Sequence, residues 1–302
     1  MRTRRTGIVA VTGALAALAL AGCGGASSPQ EAAQESADET TGASTADAGS
    51  PPDFPAGSTM ARLAEAGSIT IGTKFDQPLF GLMGPNGVPE GFDVEIATLI
   101  AGELGIAPED ITWTETVSQN RESFIQNGQV DIVVATYTIN DARKQSVDFA
   151  GPYYLAGQSI LTRKDNTDIQ GPDDLAGKQV CTVAGSTPEK NLLDNYPEAK
   201  VVPFTTYAEC IEPLRNGQVD ALSTDNVILA GFAAENDDLE LRGEPFTQEP
   251  YGIGLKKGDD EFRAWINDTL EKLEQDGRWA KAWEDTAGTV LPTPEPPAID
   301  RY

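Results

Sequence analysis

Polar groups able to grip a small charged molecule fall at three matching places in this chain. Thr136 and Thr138 follow the apolar run Val130 to Ala135. Gly185-Ser186-Thr187 follows Gln179 to Val183 and opens a helix pattern. Asp225 follows Val219 to Thr224 and opens another. In open α/β sheets ligands collect at the carboxyl ends of strands, against helix N-termini. Hydroxyls, backbone amides and one carboxylate at such ends suit hydrogen bonding and charge pairing. Covalent catalysis has less to work with. The 302 residues include no histidine, which removes Ser-His-Asp and Cys-His chemistry, histidine-ligated zinc and imidazole pH switching. No P-loop, nucleophile elbow or metal-ligand cluster is legible, so neither metal nor cofactor is expected. With 47 acidic against 22 basic side chains, a net charge of −25 argues against nucleic acid, whose phosphates need clustered Lys and Arg.

Such strand ends require alternating elements. Ser58 is placed to cap a helix through Ala66, stopped by Gly67. Ser68 to Thr73 is β-rich, Phe92 to Leu104 has helical spacing, and Ile111 to Thr114 reads as strand. Ser118 is placed to cap a helix ending at Asn127-Gly128, ahead of the strand Val130 to Ala135. The order βαβα predicts an α/β architecture with mostly parallel strands. Asn127-Gly128-Gln129-Val130-Asp131 recurs as Asn216-Gly217-Gln218-Val219-Asp220, each copy between a helix and an apolar strand, so two similar lobes are expected. Pro152 to Thr162 and Glu249 to Leu255 are the extended stretches where the chain can cross between them. Two helices follow, around Phe262 to Gln275 and Trp279 to Ala287. The four tryptophans fall mostly on helix patterns, as core residues do.

The N-terminus reads as a targeting segment. Arg2, Arg4 and Arg5 precede the apolar run Ile8 to Ala21, which is short for a membrane span. It ends in Leu20-Ala21-Gly22-Cys23, which resembles a bacterial lipobox, so residues 1–22 are expected to be a lipoprotein signal peptide and Cys23 to be lipidated. Residues 24–58 are small, polar and acidic and read as a disordered tether, with a reach of roughly 30–35 Å. In an exported protein the remaining even pair, Cys181 and Cys210, points to a disulfide; two buried free thiols are the alternative.

Several motifs then occur in order. Thr138-Ile139-Asn140-Asp141-Ala142-Arg143 and Val147-Asp148-Phe149-Ala150-Gly151-Pro152-Tyr153-Tyr154 resemble the signature of bacterial extracellular solute-binding proteins of the polar amino-acid class, family 3, which serve ABC importers. Gly72-Thr73-Lys74-Phe75-Asp76, Ser118-Gln119-Asn120-Arg121 and Thr224-Asp225-Asn226 resemble glutamate- and aspartate-binding members, in particular actinobacterial glutamate-binding lipoproteins. The resemblance implies a two-lobe periplasmic-binding-protein fold of type II, with two crossing hinge strands and the ligand in the cleft. Lobe 1 would hold residues 59–153 and 253–290, lobe 2 residues 154–252, with 291–302 a flexible tail.

The same resemblance implies the site. Arg143 would clamp an α-carboxylate, supported by Thr138, Ser186 and Thr187. Asp225 and Thr136 would take the α-ammonium. Lys74 and Arg121, with Ser118 beside them and Tyr207 more loosely, would meet the ligand's side chain, and two cations there favour glutamate. Bland alternatives exist: Arg121 could pair with Glu122, Asp225 could be only a helix cap, and Phe75 and Phe80 could be core. The expected protein is a monomeric receptor, lipid-anchored outside the cell, that delivers glutamate to a permease and is not an enzyme. Aspartate, glutamine or a broad amino-acid range is the alternative ligand; a same-fold enzyme or a sensor domain is a remoter one.

Overall fold

The computed structural model describes residues 53–302. The expected signal peptide, the lipidated Cys23 and the tether through residue 52 lie outside the described residues. The strands are β1 (Ile69–Thr73), β2 (Asp76–Gln77), β3 (Gly81–Met83), β4 (Pro89–Glu90), β5 (Ile111–Glu115), β6 (Ile132–Val133), β7 (Asp148–Ala156), β8 (Gln158–Arg163), β9 (Gln179–Val183), β10 (Lys200–Phe204), β11 (Ala221–Asp225), β12 (Leu239–Arg242) and β13 (Glu249–Leu255). The helices are α1 (Thr59–Ala66), α2 (Phe92–Glu103), α3 (Arg121–Gln126), α4 (Asp141–Lys144), α5 (Thr187–Asn195), α6 (Ile211–Arg215), α7 (Asn226–Glu235), α8 (Asp260–Gln275) and α9 (Arg278–Asp285).

Two five-stranded sheets form, ordered β5-β1-β6-β13-β7 and β10-β9-β11-β8-β12. They share one plan. In each, three strands run parallel and the last two are added antiparallel. The repeated Asn-Gly-Gln-Val-Asp marks equivalent places in this plan. Gly128 and Gly217, with φ of 67° and 71°, stop α3 and α6 in the left-handed turn that only glycine enters at no steric cost. The next strands, β6 and β11, each take the middle of a sheet.

The chain passes from the first sheet to the second where β7 runs through Gly157 into β8. It returns in β13, which pairs with β7 from Glu249↔Ala156 to Leu255↔Asp148. Above this junction an aromatic cluster fills the first lobe. Phe92 meets Trp283 edge-on at 5.1 Å between centroids, and Tyr154 stacks on Trp283 at 4.9 Å. Phe80 joins the same cluster and is core. Trp279 and Trp283 are fully buried, whereas Trp113 and Trp265 are partly buried against the core.

Two segments expected to be loose are held. Phe54, placed in the tether, packs edge-on against Trp265 at 5.8 Å, because one large aromatic ring gives a short segment enough apolar area to dock. Residues 291–302, expected as a flexible tail, return to β7. The N–H of Phe149 donates to Tyr302 Oη at 2.9 Å, and that of Asp300 to the Gly151 carbonyl at 2.9 Å. The Tyr302 ring lies under Lys144 and Arg263, at 3.8 and 4.4 Å. The physical reason is that β7 is the edge of its sheet, with outward backbone groups to satisfy, while Leu291 and Ile299 pack on the core.

Cys181 on β9 and Cys210 ahead of α6 form a disulfide across a sequence separation of 29. Replacing both by serine is expected to lower stability by about 3–4 kcal/mol through lost loop-closure constraint. Urea unfolding at matched pH measures this; a midpoint equal to the parent's would contradict it.

Candidate functional site

The carboxyl ends of the central strands of both sheets face each other, and a narrow pocket lies between them. Eight of the ten residues expected at the site line it: Ser118, Arg121, Thr136, Thr138, Ser186, Thr187, Tyr207 and Asp225. Lys74 and Arg143 join through their partners. Lys74 Nζ donates to Ser118 Oγ at 3.0 Å, and Arg143 Nη1 donates to the Thr138 carbonyl at 2.7 Å. Ser118 is not the cap of α3, as its position suggested. The helix starts later, after Asn120, which leaves the Ser118 hydroxyl to accept from Lys74.

On the first lobe, Thr136 occupies the left-handed region with φ of 44°, a costly conformation for a β-branched residue unless its surroundings impose it. Here they do. The Thr136 N–H donates to Asp93 Oδ2 at 2.7 Å, and its hydroxyl reaches Gln77 Oε1 at 3.0 Å. Asp93 Oδ1 accepts from Tyr153 on β7 at 2.6 Å. Asp93 lies in the first turn of α2, fully buried, and burial pushes its carboxyl up to about 7. It was not expected from sequence, where an acid in a helix's first turn reads as ordinary capping charge.

The two arginines flank Tyr137. The Arg121 guanidinium lies 4.2 Å from the ring centroid and that of Arg143 lies 4.9 Å away. Arg121 Nη1 donates to the Ala135 carbonyl at 3.0 Å, while its Nε is buried without a partner. Glu122 pairs with Arg143 at 3.3 Å, not with Arg121. Among the described residues, neither Lys74 nor Arg121 has an ion-pair partner. Burial, and then the Arg121 charge, pull the Lys74 ammonium down to about 7. Burial and Arg121 also lower Arg143 to about 10.

The second lobe supplies the other wall. Ser186 caps α5 by accepting from the Glu189 N–H at 3.1 Å. Thr187 donates to Glu249 Oε2 at 2.7 Å, so the Thr138 hydroxyl, 3.2 Å away, is the donor between those two. Asp225 precedes α7 without capping it by its side chain. Its Oδ2 accepts from Tyr251 of β13 at 2.6 Å, and its Oδ1 is buried without a partner. Burial, then the Glu249 charge, push its carboxyl up to about 8. Tyr207 is buried on the same wall, and burial keeps its phenol protonated. Tyr251 and Glu249 sit on the returning crossing strand and gave no local signal, because their partners are remote in sequence. A larger cavity elsewhere, between Pro78, Leu79 and α7, brings together no comparable set of opposite charges.

Residues 69–286 match the bacterial extracellular solute-binding proteins, family 3. The chain is 38% identical over 277 residues to the ABC transporter glutamine-binding protein GlnH of Bacillus subtilis, covering 91% of this chain and 94% of that protein. It is 40% identical over 235 residues to the glutamate-binding protein GluB of Corynebacterium glutamicum, covering 74% and 80%. Among solved structures, a solute receptor for L-cysteine of Neisseria gonorrhoeae matches with a TM-score of 0.74 at 31% identity, covering 77% of this chain and 95% of that one. Two lobes with a shared strand plan, a polar pocket between them and likeness over this much of the chain lead to one assignment: the chain belongs to the bacterial extracellular solute-binding proteins, family 3.

Proposed function

We propose that this protein captures an acidic amino acid, L-glutamate first among them, and hands it to the permease of an ABC importer. The carrying observation is that Lys74 and Arg121 are buried beside the pocket and, among the described residues, neither is ion-paired to a carboxylate, Lys74 bonding only the Ser118 hydroxyl and Arg121 keeping an unpartnered Nε. A ligand with a side-chain carboxylate would balance both. A carboxamide would leave them unpaired in a closed space, where an uncompensated charge is costly. The relative from B. subtilis is named for glutamine and that from C. glutamicum for glutamate, so glutamine is the second reading; the cation pair favours glutamate.

The remaining groups meet the invariant part of an amino acid. Arg143 offers a planar fork for the α-carboxylate, with the Thr138 hydroxyl and the amides opening α5 beside it. Asp225 Oδ1 and Thr136 Oγ1 would take the α-ammonium. Ligand contacts to both lobes favour the closed arrangement by their difference between states. The two crossing strands at β7–β8 and β13 are where the lobes would hinge. Lipidation of Cys23 would hold the receptor outside the cell; no helix among the described residues is long and apolar enough to cross a membrane.

Calorimetry of residues 53–302, stripped of ligand, against the common amino acids tests the ligand. Glutamate is expected to bind; a response only to neutral or basic amino acids refutes the specificity. Arg143→Ala is expected to abolish binding of every amino acid. Lys74→Met is expected to weaken glutamate by about 10- to 100-fold and glutamine less; equal losses would remove Lys74 from the side-chain end. The pH profile has a definite sign. In the bound state both Lys74 and Asp225 are charged. Below pH 7 Lys74 is already charged and Asp225 is protonated, so binding expels a proton and affinity rises with pH. Near neutral pH the two trends meet, a proton passing from Asp225 to Lys74, and affinity has its broad maximum. Above 8 binding takes up a proton and affinity falls, by up to tenfold per unit. Proton release measured in buffers of different ionisation enthalpy checks this, and proton uptake at pH 6 would contradict it. Cys23→Ala in the full chain is expected to move the protein from the membrane fraction to the medium; retention on the membrane would refute the lipid anchor.

A further inference from the structure

We infer that Asp76 is a positioning residue that latches the two lobes together and sets Tyr207 on the pocket wall without help from bound ligand. Asp76 begins β2, two residues beyond Lys74, and belongs to the first lobe. Its Oδ2 accepts the backbone N–H of Tyr207 at 2.8 Å and that of Ala208 at 3.3 Å, across 131 and 132 residues of sequence. These amides open the short turn Ala208–Cys210, which has no side-chain cap of its own. Amides at a helical start lack partners within the turn, and a carboxylate there is a charge-assisted acceptor. The first lobe thus supplies the cap that the second lobe lacks. Through the Cys181–Cys210 disulfide, the capped turn is tied covalently to β9, so a pull on it is a pull on the whole second sheet.

A second contact lies two residues further on. The Pro78 carbonyl approaches α7 so closely that a Cβ on Gly231 would stand 2.7 Å from its oxygen. Glycine inside a helix is otherwise unfavourable, and here it permits the close approach. Asp76 and Pro78 therefore seat one short segment of the first lobe on two places in the second. Both contacts join protein backbone or side-chain atoms of one lobe directly to the other. The same segment follows Lys74, and the residue it grips, Tyr207, lines the pocket with Asp225. Lobe closure and the shape of the proposed side-chain end are thereby coupled. Opening must break a charged hydrogen-bond pair in addition to any ligand contacts.

The test has one arm with ligand and one without. The ligand arm rests on the function proposed above; the ligand-free arm does not. Small-angle scattering of the stripped protein should show a larger radius of gyration for Asp76→Ala and for Gly231→Leu than for the parent, with the thermal midpoint of each within a few degrees of the parent's. Stopped-flow release of glutamate should be about tenfold faster for Asp76→Ala, with an intermediate rate for Asp76→Asn, which keeps an acceptor but loses the charge. Unchanged compactness in both ligand-free variants would overturn the latch, as would an unchanged release rate in Asp76→Ala. If the parent binds no amino acid, the function proposed above fails while the scattering still decides the latch.

Discussion

Lys74 and Arg121 are basic groups buried in a closed space, neither forming an ion pair with a carboxylate among the described residues, and most of the site follows from that imbalance. Removing an ion from water costs several kcal/mol even after relaxation. The protein offsets part of this with neutral or remote groups: the Ser118 hydroxyl, the Ala135 carbonyl and the face of Tyr137. The nearby buried carboxyl, Asp93, is itself raised to about 7 and is engaged by Thr136 and Tyr153. Asp225, across the cleft, has the complementary difficulty: a carboxyl raised to about 8, with one oxygen unpartnered. The ligand proposed above, with an ammonium at one end and a carboxylate at the other, would relieve both at once.

Holding unsatisfied charge in place requires a stiff frame, and the two sheets supply it. Their shared strand plan brings the ends of the central strands to a common cleft, so each lobe offers strand-end polar groups and a helix start. The crossing strands do more than connect. Tyr251 of β13 reaches Asp225, Glu249 holds Thr187, and Tyr153 of β7 holds Asp93. Movement at the crossings must therefore be felt by the groups that would touch the ligand. The overall charge of −25 is a poor guide to this pocket, because screening over about 8 Å makes electrostatics local, and a small positive site can sit within an acidic protein.

Much of the frame is legible in the sequence. Ser58 and Gly67 bound α1 as their types suggest, the Asn-Gly repeats end α3 and α6, and apolar runs became central strands. Thr136, Thr138, Ser186-Thr187 and Asp225 could be placed at strand ends by element order alone, and they converge on one pocket. Lys74, Arg121 and Arg143 needed the motif resemblance, since a lone cation carries no local sign of burial. Where the reading was wrong, a long-range contact overrode a local cue. Ser118 looks like a helix cap but serves Lys74. The proline-rich end looks loose, yet it covers the edge of β7.

What the sequence determined by itself was local: the alternation of strands and helices, the glycine stops, the duplicated lobe plan and the exclusion of histidine chemistry. These depend on side-chain periodicity and backbone freedom over a few residues, which a linear string records. Only the tertiary structure decided which charges stay unpaired, which carboxyl braces Thr136, and that Asp76 reaches 131 residues along the chain to the Tyr207 amide. Those outcomes depend on distance and burial between remote segments. The same Asp or Lys is solvated surface in one packing and a strained, functional charge in another, so no local pattern could have told them apart.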